Sequence, residues 1–170
     1  MRKMRKGFTL IELLVVIAVM GILGTMAMIS GQEATDAART NNIADGLEKA
    51  AAAMMMYYSD NADSINESGT TVEKVRIGAN AYLKTKLVAT SAEGKYSVSI
   101  VGTGSAAKWY AVYKFLTADA NLKAMIANKA TRLGLYSITT AEGTTTAAAY
   151  ASTESEGTTT YPDEVAILVR

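Results

Sequence analysis

The chain has 170 residues, enough for one ordinary domain with an extension, and it contains neither cysteine nor histidine. This composition excludes cysteine or histidine ligation of zinc and iron–sulfur clusters, Ser–His or Cys–His nucleophilic catalysis, and a lipid anchor on an N-terminal cysteine. The formal net charge is +1, but four of the 17 basic residues lie in the first six positions and the other 13 face 16 acidic residues. Beyond its start the chain is mildly acidic and has no basic block for a phosphate backbone, so nucleic acid is not expected as the main partner.

The first predicted element is an apolar helix over residues 8–29, in which Glu12 carries the only charge. Such a helix would be roughly 33 Å long at about 1.5 Å per residue, sufficient to cross a bilayer core of about 30 Å. The basic residues before it predict a cytoplasmic N-terminus. A secretory signal peptide has a shorter apolar region and a small-residue cleavage site, which this stretch lacks. A plain membrane anchor fits the length but does not explain Glu12, because a carboxylate in a membrane helix costs a few kcal/mol and usually marks a function.

The chain resembles type IV prepilins and the related pseudopilins over the stretch Lys6-Gly7-Phe8-Thr9-Leu10-Ile11-Glu12-Leu13-Leu14-Val15. The resemblance implies that a prepilin peptidase cuts after Gly7, on the cytoplasmic side, and methylates the new amine of Phe8. It also implies that the apolar helix is first a membrane anchor and then the core of a helical filament, built at an inner-membrane assembly platform. Beyond about residue 30 the resemblance covers only the general architecture.

A charge pair between subunits is the hypothesis for Glu12. Cleavage after Gly7 would leave an ammonium at Phe8, one helical turn before Glu12. A lone buried charge is strongly disfavoured, whereas a pair recovers much of the desolvation cost. We therefore expect the Phe8 ammonium of one subunit to meet Glu12 of a neighbour and to fix the filament register. The alternative is a tolerated charge that reaches the interface. Gly21 is expected to allow close approach of a neighbouring helix.

The helix is predicted to continue as an amphipathic segment after Gly31. Apolar residues recur there at spacings of three or four, which is typical of one helical face, at Ile43, Leu47, Ala50, Met54 and Tyr58. The prediction is a leader over 1–7 that the peptidase removes, a long helix over 8–59, and a globular part over 60–170. The apolar half, 8–29, would lie in the membrane or the filament core.

The globular part is predicted to be a small antiparallel β-sheet body with connecting helices. The expected fold class is therefore α+β, with the long N-terminal helix packed on the sheet as in type IV pilins. Thr70 and Glu73 have capping-box spacing, which predicts a helix whose apolar pattern runs to Leu87 and is interrupted by Gly78.

Later segments alternate between strand and helix patterns. Residues 96–101 and 109–115 predict an antiparallel hairpin with one face on a core. Residues 119–133 have helical spacing and end at a glycine, and 164–169 predict a final strand. Residues 141–160, where Glu-Gly-Thr-Thr-Thr occurs twice, are a slack surface loop, polar β-edge segments, or a glycosylated or adhesive patch on the filament exterior.

No catalytic residue, metal site or cofactor is predicted. The stretch 60–67 is rich in oxygen ligands, but its spacing does not match a calcium loop and a solvated loop is favoured. Calcium at Asp163 and Glu164 is suggested only by resemblance, because some pseudopilins of type II secretion bind calcium in their C-terminal loops.

These features predict a structural, non-enzymatic subunit. The favoured function is that of a major or abundant pilin, anchored in the inner membrane as a precursor and then assembled into an extracellular type IV pilus for adhesion, twitching motility or DNA uptake. The runner-up is a pseudopilin of a type II secretion or competence system, in a short periplasmic pseudopilus. The Thr-rich tail favours the pilus; the missing cysteines weaken that preference, because many pilins close a C-terminal loop with a disulfide. A third hypothesis is an enzyme or binding domain on a permanent anchor, which predicts an uncut N-terminus.

Overall fold

The structure is a computed structural model that describes residues 8–62, 71–102, 107–116, 119–141, 144–155 and 158–169. The elements in chain order are α1 (Leu10–Asp60), α2 (Val72–Ala79), β1 (Tyr96–Val101), β2 (Lys108–Lys114), α3 (Ala120–Leu133), β3 (Leu135–Ala141), β4 (Thr144–Ala149), β5 (Thr153–Ser155), β6 (Thr158–Thr160) and β7 (Glu164–Leu168). The chain divides into two compact units, an N-terminal unit up to Ala38 and a head unit from Arg39 onward. Residues of α1 contribute to both units.

The head unit is built on a curled antiparallel sheet. Its five strands lie in the order β1-β2-β7-β3-β4, and β5 with β6 forms a separate two-stranded sheet. The last strand of the chain therefore occupies the centre, where Val165 pairs with Tyr113 of β2 and Ala166 pairs with Tyr136 of β3. The opposite edges β1 and β4 approach within 8 Å between Cα atoms, so the sheet is strongly bent. The predicted α+β class, with a long N-terminal helix and a small antiparallel sheet, is confirmed.

The main core lies on one face of this sheet, against the head portion of α1 and against α2 and α3. Its largest side chains are at most 2% exposed and come from α1, α3, β2 and the residue after β2: Leu47, Met54, Trp109, Phe115 and Leu122. The helix α2 contributes the fully buried Val75. The predicted apolar face of α1 is buried here from Ile43 to Met54. Burying each such side chain contributes about 1.5–3 kcal/mol, so this face holds the second half of α1 in the head unit.

The second strand is buried on both faces, and the prediction that the hairpin buries one face is wrong for β2. Trp109 and Tyr113 face the main core, whereas Tyr110 and Val112 join Ile138 in a second cluster on the opposite face. The rings of Tyr110 and Tyr136 meet edge to face there, with centroids 5.5 Å apart. The described helices pack on the other face, so the curl of the sheet itself encloses this second cluster.

The helix after α1 is shorter than predicted. It ends at Ala79, one residue after Gly78, and does not extend to Leu87. The side chain of Thr71, not Thr70, accepts a hydrogen bond from Lys74 N at 3.3 Å, and Thr70 lies outside the described residues. Glu73 forms an ion pair with Arg76. The apolar residues after Ala79 lie in a loop of the head unit and not in a helix.

The two Glu-Gly-Thr-Thr-Thr repeats correspond to hairpins, as the β-edge alternative proposed. In both, two residues separate the strands, and the pairs Ala141↔Thr144 and Ser155↔Thr158 are equivalent. A hydroxyl-to-carbonyl bond also repeats, from Thr146 to Thr139 at 3.3 Å and from Thr160 to Thr153 at 3.2 Å. The repeated sequence therefore encodes the same register twice, through threonines that suit exposed strands.

The predicted helix over 119–133 is confirmed as α3, Ala120–Leu133. It ends at Gly134, whose left-handed φ of 62° and backbone N–H bond to Ala130 O form a C-cap.

Candidate functional site

The first half of α1 presents an exposed apolar surface. Within the described residues α1 is the one helix long and apolar enough to cross a membrane, and none of its apolar window is buried in the chain. Leu10 is 82% exposed, and even Val16 is 42% exposed. Single exposed apolar residues are normal on soluble proteins, but a continuous apolar surface of this size marks a contact with a membrane or with another protein.

Polar side chains along this helix bond to its own backbone. The hydroxyl of Thr25 donates to the carbonyls of Gly21 and Ile22, at 3.1 and 2.8 Å. The hydroxyl of Thr35 donates to the Gly31 carbonyl at 2.7 Å. These bonds remove the cost of placing hydroxyls in an apolar medium, because every donor there must find an internal acceptor.

Thr9 and Glu12 form a capping box at the start of α1. Glu12 Oε2 accepts hydrogen bonds from Thr9 N at 2.9 Å and from Thr9 Oγ1 at 2.8 Å. The backbone N–H of Glu12 in turn donates to Thr9 Oγ1, at 3.4 Å. A carboxylate in the first turn also lies in the favourable field of the helix N-terminus. Glu12 therefore has a local function in the single chain that is independent of any neighbour.

The predicted assembly residues Phe8 and Glu12 lie together. Both line a shallow hollow of about 330 Å³, whose remaining walls are Ile11, Val15 and Val16. Phe8 is 83% exposed, so its side chain is held by no other part of the described chain. Only Oε2 of Glu12 is occupied by Thr9; within the described residues no bond to Oε1 is found. Glu12 can thus keep its capping bonds and still present one oxygen to an incoming cation.

Gly21, the third predicted assembly residue, is further along the same helix. It lies nine positions after Glu12, or about 14 Å at 1.5 Å per residue. A Cβ placed on Gly21 would meet no atom within 4 Å, whereas one on Gly46 of the same helix would lie 2.0 Å from Tyr96 Oη. A side chain at 46 would force the Tyr96 ring to move, whereas among the described residues no atom opposes a side chain at 21. The close-approach function predicted for Gly21 stays a prediction.

The predicted processing site is described only in part. Gly7 lies outside the described residues, and Phe8 just precedes α1. The geometry of the described residues therefore carries no information on cleavage between Gly7 and Phe8, which stays a prediction. From the sequence Thr9 is a candidate cap for the helix start, but its pairing with Glu12 was not predicted, although the signal was present: a threonine three residues before a glutamate at the start of an apolar helix.

The residues suggested for calcium have other partners. Asp163 Oδ1 accepts Lys123 Nζ at 2.6 Å, and the Glu164 carboxylate accepts a hydrogen bond from Ser91. Asp60 accepts a hydrogen bond from Tyr82, and residues 63–67 lie outside the described part of the chain. Among the residues that the structure describes, no group of three or more acidic side chains is gathered for a metal. Calcium binding stays an untested prediction.

An exposed apolar helix that starts with a capped carboxylate and continues into a separate sheet-containing head defines a membrane-associated protein of the pilin-like fold. Residues 2–28 match a family model described as the prokaryotic N-terminal methylation motif, the signature of type IV pilins and pseudopilins. Over these residues the chain is similar to type IV pilins and pseudopilins, a structural class whose precursors are cut by a prepilin peptidase and polymerise. No curated protein and no solved structure matches the chain.

Proposed function

We propose that the chain is a structural subunit of a type IV pilus and polymerises through α1 into a surface filament for adhesion, twitching motility or DNA uptake. The observation that carries this proposal is the wholly exposed apolar surface of the N-terminal unit, together with Glu12 at its start. In the precursor this surface contacts lipid, and in the filament it contacts the same surface of other copies. The subunit has no enzymatic function in this proposal.

Lipid contact alone satisfies the apolar surface, so exchange of lipid for protein needs a further driving force. Lipid tails are as apolar as leucine, and association of helices in membranes rests on close packing and polar contacts. Gly21 and Gly24 supply a surface without side chains, because a Cβ at either position would meet no atom of the chain within 4 Å. Glu12 supplies the polar contact.

The charge pair between subunits follows from processing at Gly7 and Phe8. Prepilin peptidase removes the basic leader, and the new methylated amine of Phe8 becomes the only cation next to the apolar helix. Glu12 Oε1 is the acceptor for the Phe8 ammonium of a neighbouring subunit, while Oε2 keeps its bonds to Thr9. A displaced register would leave both charges unpaired in an apolar medium, at a cost of several kcal/mol. The pair therefore selects one axial register.

The partners of this function are other copies of the chain, the prepilin peptidase and an inner-membrane assembly platform. The precursor is anchored in the inner membrane, and the pilus is extracellular. The alternative is a pseudopilin of a type II secretion or competence system, in a short periplasmic filament. The two threonine hairpins favour the pilus, because they give the head unit an exposed polar exterior.

The test combines the N-terminus with the filament. We expect mass spectrometry of the membrane protein to find N-methylated Phe8, and electron microscopy of sheared surface filaments to find this chain as the main component. Glu12→Val is expected to be cut and inserted in the membrane but to build no filaments, whereas Glu48→Val, which changes an exposed glutamate of α1 in the head unit, assembles normally.

The other outcomes are equally specific. An intact Met1 in the mature protein would overturn the proposal in favour of a permanently anchored domain. A methylated Phe8 with periplasmic but no surface filaments would replace the pilus by the pseudopilus. Normal filaments from Glu12→Val would refute the charge pair.

A further inference from the structure

The head unit contains a cavity whose lining residues all lie outside the N-terminal unit. Its volume is about 490 Å³, and it lies between the second half of α1, the loop after α2 and the first residue of β1. This volume is within the range of small-molecule sites, about 300–1,000 Å³. The inner wall is apolar and is formed by Ala50, Leu83, Leu87 and Tyr96. The mouth is polar and carries Asp45, Lys49 and Lys84.

The Tyr96 ring can lie close to α1 because residue 46 of that helix is a glycine. A Cβ on Gly46 would lie 2.0 Å from Tyr96 Oη and 2.3 Å from Cζ, so the ring lies directly against the helix backbone. The Tyr96 hydroxyl donates to the Asn42 carbonyl at 3.3 Å. Burial, aided by the nearby Tyr113 and the Asp45 charge, raises the pKa of Tyr96 to about 12, so the wall stays neutral at ordinary pH. Gly46 thus gives the cavity a flat aromatic side.

The opposite wall is a loop that is fixed by side chains. Asn80 Oδ1 accepts Leu87 N at 2.7 Å, and Asn80 Nδ2 donates to the Leu87 carbonyl at 3.2 Å. Arg76 Nη1 donates to the same carbonyl at 3.3 Å. Lys86 Nζ donates to the Leu83 carbonyl at 2.7 Å and also to the Asn80 carbonyl. A loop without regular structure is therefore held in one conformation, which is the preorganisation that a binding site needs.

The charges at the mouth favour an anion. Lys49 and Asp45 form an ion pair at 2.6 Å, but both side chains are more than half exposed, so the pair is weak. Lys84 is exposed, and no ion-pair or hydrogen-bond partner for it is found in the part of the chain that the structure describes. The three side chains together carry one net positive charge. A ligand with one negative charge would neutralise the charge at the mouth, and the apolar part of the ligand would be buried against the inner wall of the cavity.

We propose that this cavity binds a small amphipathic organic anion, with its aromatic or alkyl part against Leu83, Leu87 and Tyr96 and its carboxylate on Lys84. This inference does not depend on filament formation, because every lining residue belongs to the head unit. A neutral molecule of the same shape would leave Lys84 without a counter-charge. A purely polar anion would leave the apolar wall of the cavity exposed to water.

The experiment uses the full chain in lipid nanodiscs and the probe 2-naphthoate, with empty nanodiscs as the blank. Calorimetric titration is expected to show saturable binding of one naphthoate per chain. Lys84→Glu should weaken this binding roughly tenfold or more, because it replaces the attracting charge by a repelling one. Lys108→Glu, at an exposed lysine of β2 outside the cavity, should leave it unchanged. Naphthalene-2-methanol, the neutral analogue, should bind roughly tenfold more weakly than naphthoate.

A second variant tests the cavity itself. Gly46→Ala forces the Tyr96 ring out of its place, so naphthoate binding should be lost. If that variant fails to fold, the comparison of Lys84→Glu with its control Lys108→Glu still tests whether naphthoate binds in this cavity. The proposal is overturned if wild type shows no saturable binding, if both lysine variants weaken binding equally, or if the neutral analogue binds as well as naphthoate.

Discussion

Lys123 on α3 donates to Asp163, 40 residues later and just before β7, across 2.6 Å between Nζ and Oδ1. The two partners are unequally buried, because the side chain of Lys123 is 10% exposed and that of Asp163 is 72% exposed. The backbone carbonyl of Asp163 also accepts Phe115 N at 2.8 Å, and the Tyr150 hydroxyl donates to the Pro162 carbonyl at 3.1 Å. These contacts attach the entry of the central strand to the head unit without a disulfide.

The unequal burial predicts an unequal response to removing each partner. Asp163→Asn leaves a buried ammonium without its counter-charge and should lower the free energy of unfolding by about 1–3 kcal/mol. Lys123→Met leaves only an exposed carboxylate and should remain within about 1 kcal/mol of wild type. Urea unfolding of the full chain, followed by the fluorescence of the single tryptophan, Trp109, measures both. A larger loss from Lys123→Met than from Asp163→Asn would contradict this account.

Alkaline pH should weaken the head unit through Tyr96. Burial raises its pKa to about 12, and the pKa of Tyr150 is raised as well, mainly by burial. Because tyrosine has a pKa of about 10 in the unfolded chain, the stabilisation is complete below pH 10 and is lost as pH rises toward about 12. Tyr96→Phe should make the fall in unfolding free energy over this window less steep.

Urea unfolding at steps between pH 10 and 12, followed by the fluorescence of Trp109, measures this slope for wild type and Tyr96→Phe. Equal slopes for wild type and Tyr96→Phe would show that Tyr96 does not carry the pH dependence.

Two glycines in helices should respond in opposite ways to alanine. A Cβ on Gly78 of α2 would lie 2.1 Å from Cε2 of the buried Tyr57, so Gly78→Ala should destabilise the head unit by about 1–3 kcal/mol. Gly21→Ala meets nothing in the chain and should not change the unfolding of the head unit. It should instead reduce the yield of filaments, because the added methyl group separates neighbouring helices. Trp109 fluorescence and pelleting of filaments measure the two effects, and a Gly21→Ala protein with full filament yield would remove Gly21 from the assembly surface.

Local patterns were sufficient to predict much of the fold. The apolar spacing from Ile43 to Met54 predicts the buried face of α1, and Gly134 marks the end of α3. The strand alternation over 96–101 predicts β1. These features depend on a few neighbouring residues, so the period of the pattern reports them directly. The N-terminal motif is local in the same sense, and its similarity to the methylation motif of type IV pilins and pseudopilins is confirmed over residues 2–28.

The rest depends on contacts between distant segments. Nothing in the strand patterns shows that β7 lies between β2 and β3, and only that placement and the curl bury Tyr110 and Val112. The loop after α2 is likewise held by the bonds of Asn80 to Leu87, which the apolar spacing does not report. The cavity is a further case, because its walls come from three separate segments. A period in the sequence does not report such pairings.

The two functions of Glu12 can be separated by variants that remove one at a time. Glutamine can replace glutamate in a capping box, so Glu12→Gln keeps the bonds from Thr9 but removes the negative charge. Thr9→Ala keeps the charge and the backbone bond to Glu12 but removes both bonds of the Thr9 hydroxyl, at a cost of about 1 kcal/mol to the start of the helix. If the charge pair fixes the register, Glu12→Gln should abolish filaments and Thr9→Ala should reduce them only slightly. The opposite order in electron microscopy of sheared cells would mean that Glu12 acts through the helix start, and the Phe8 ammonium would then need another partner.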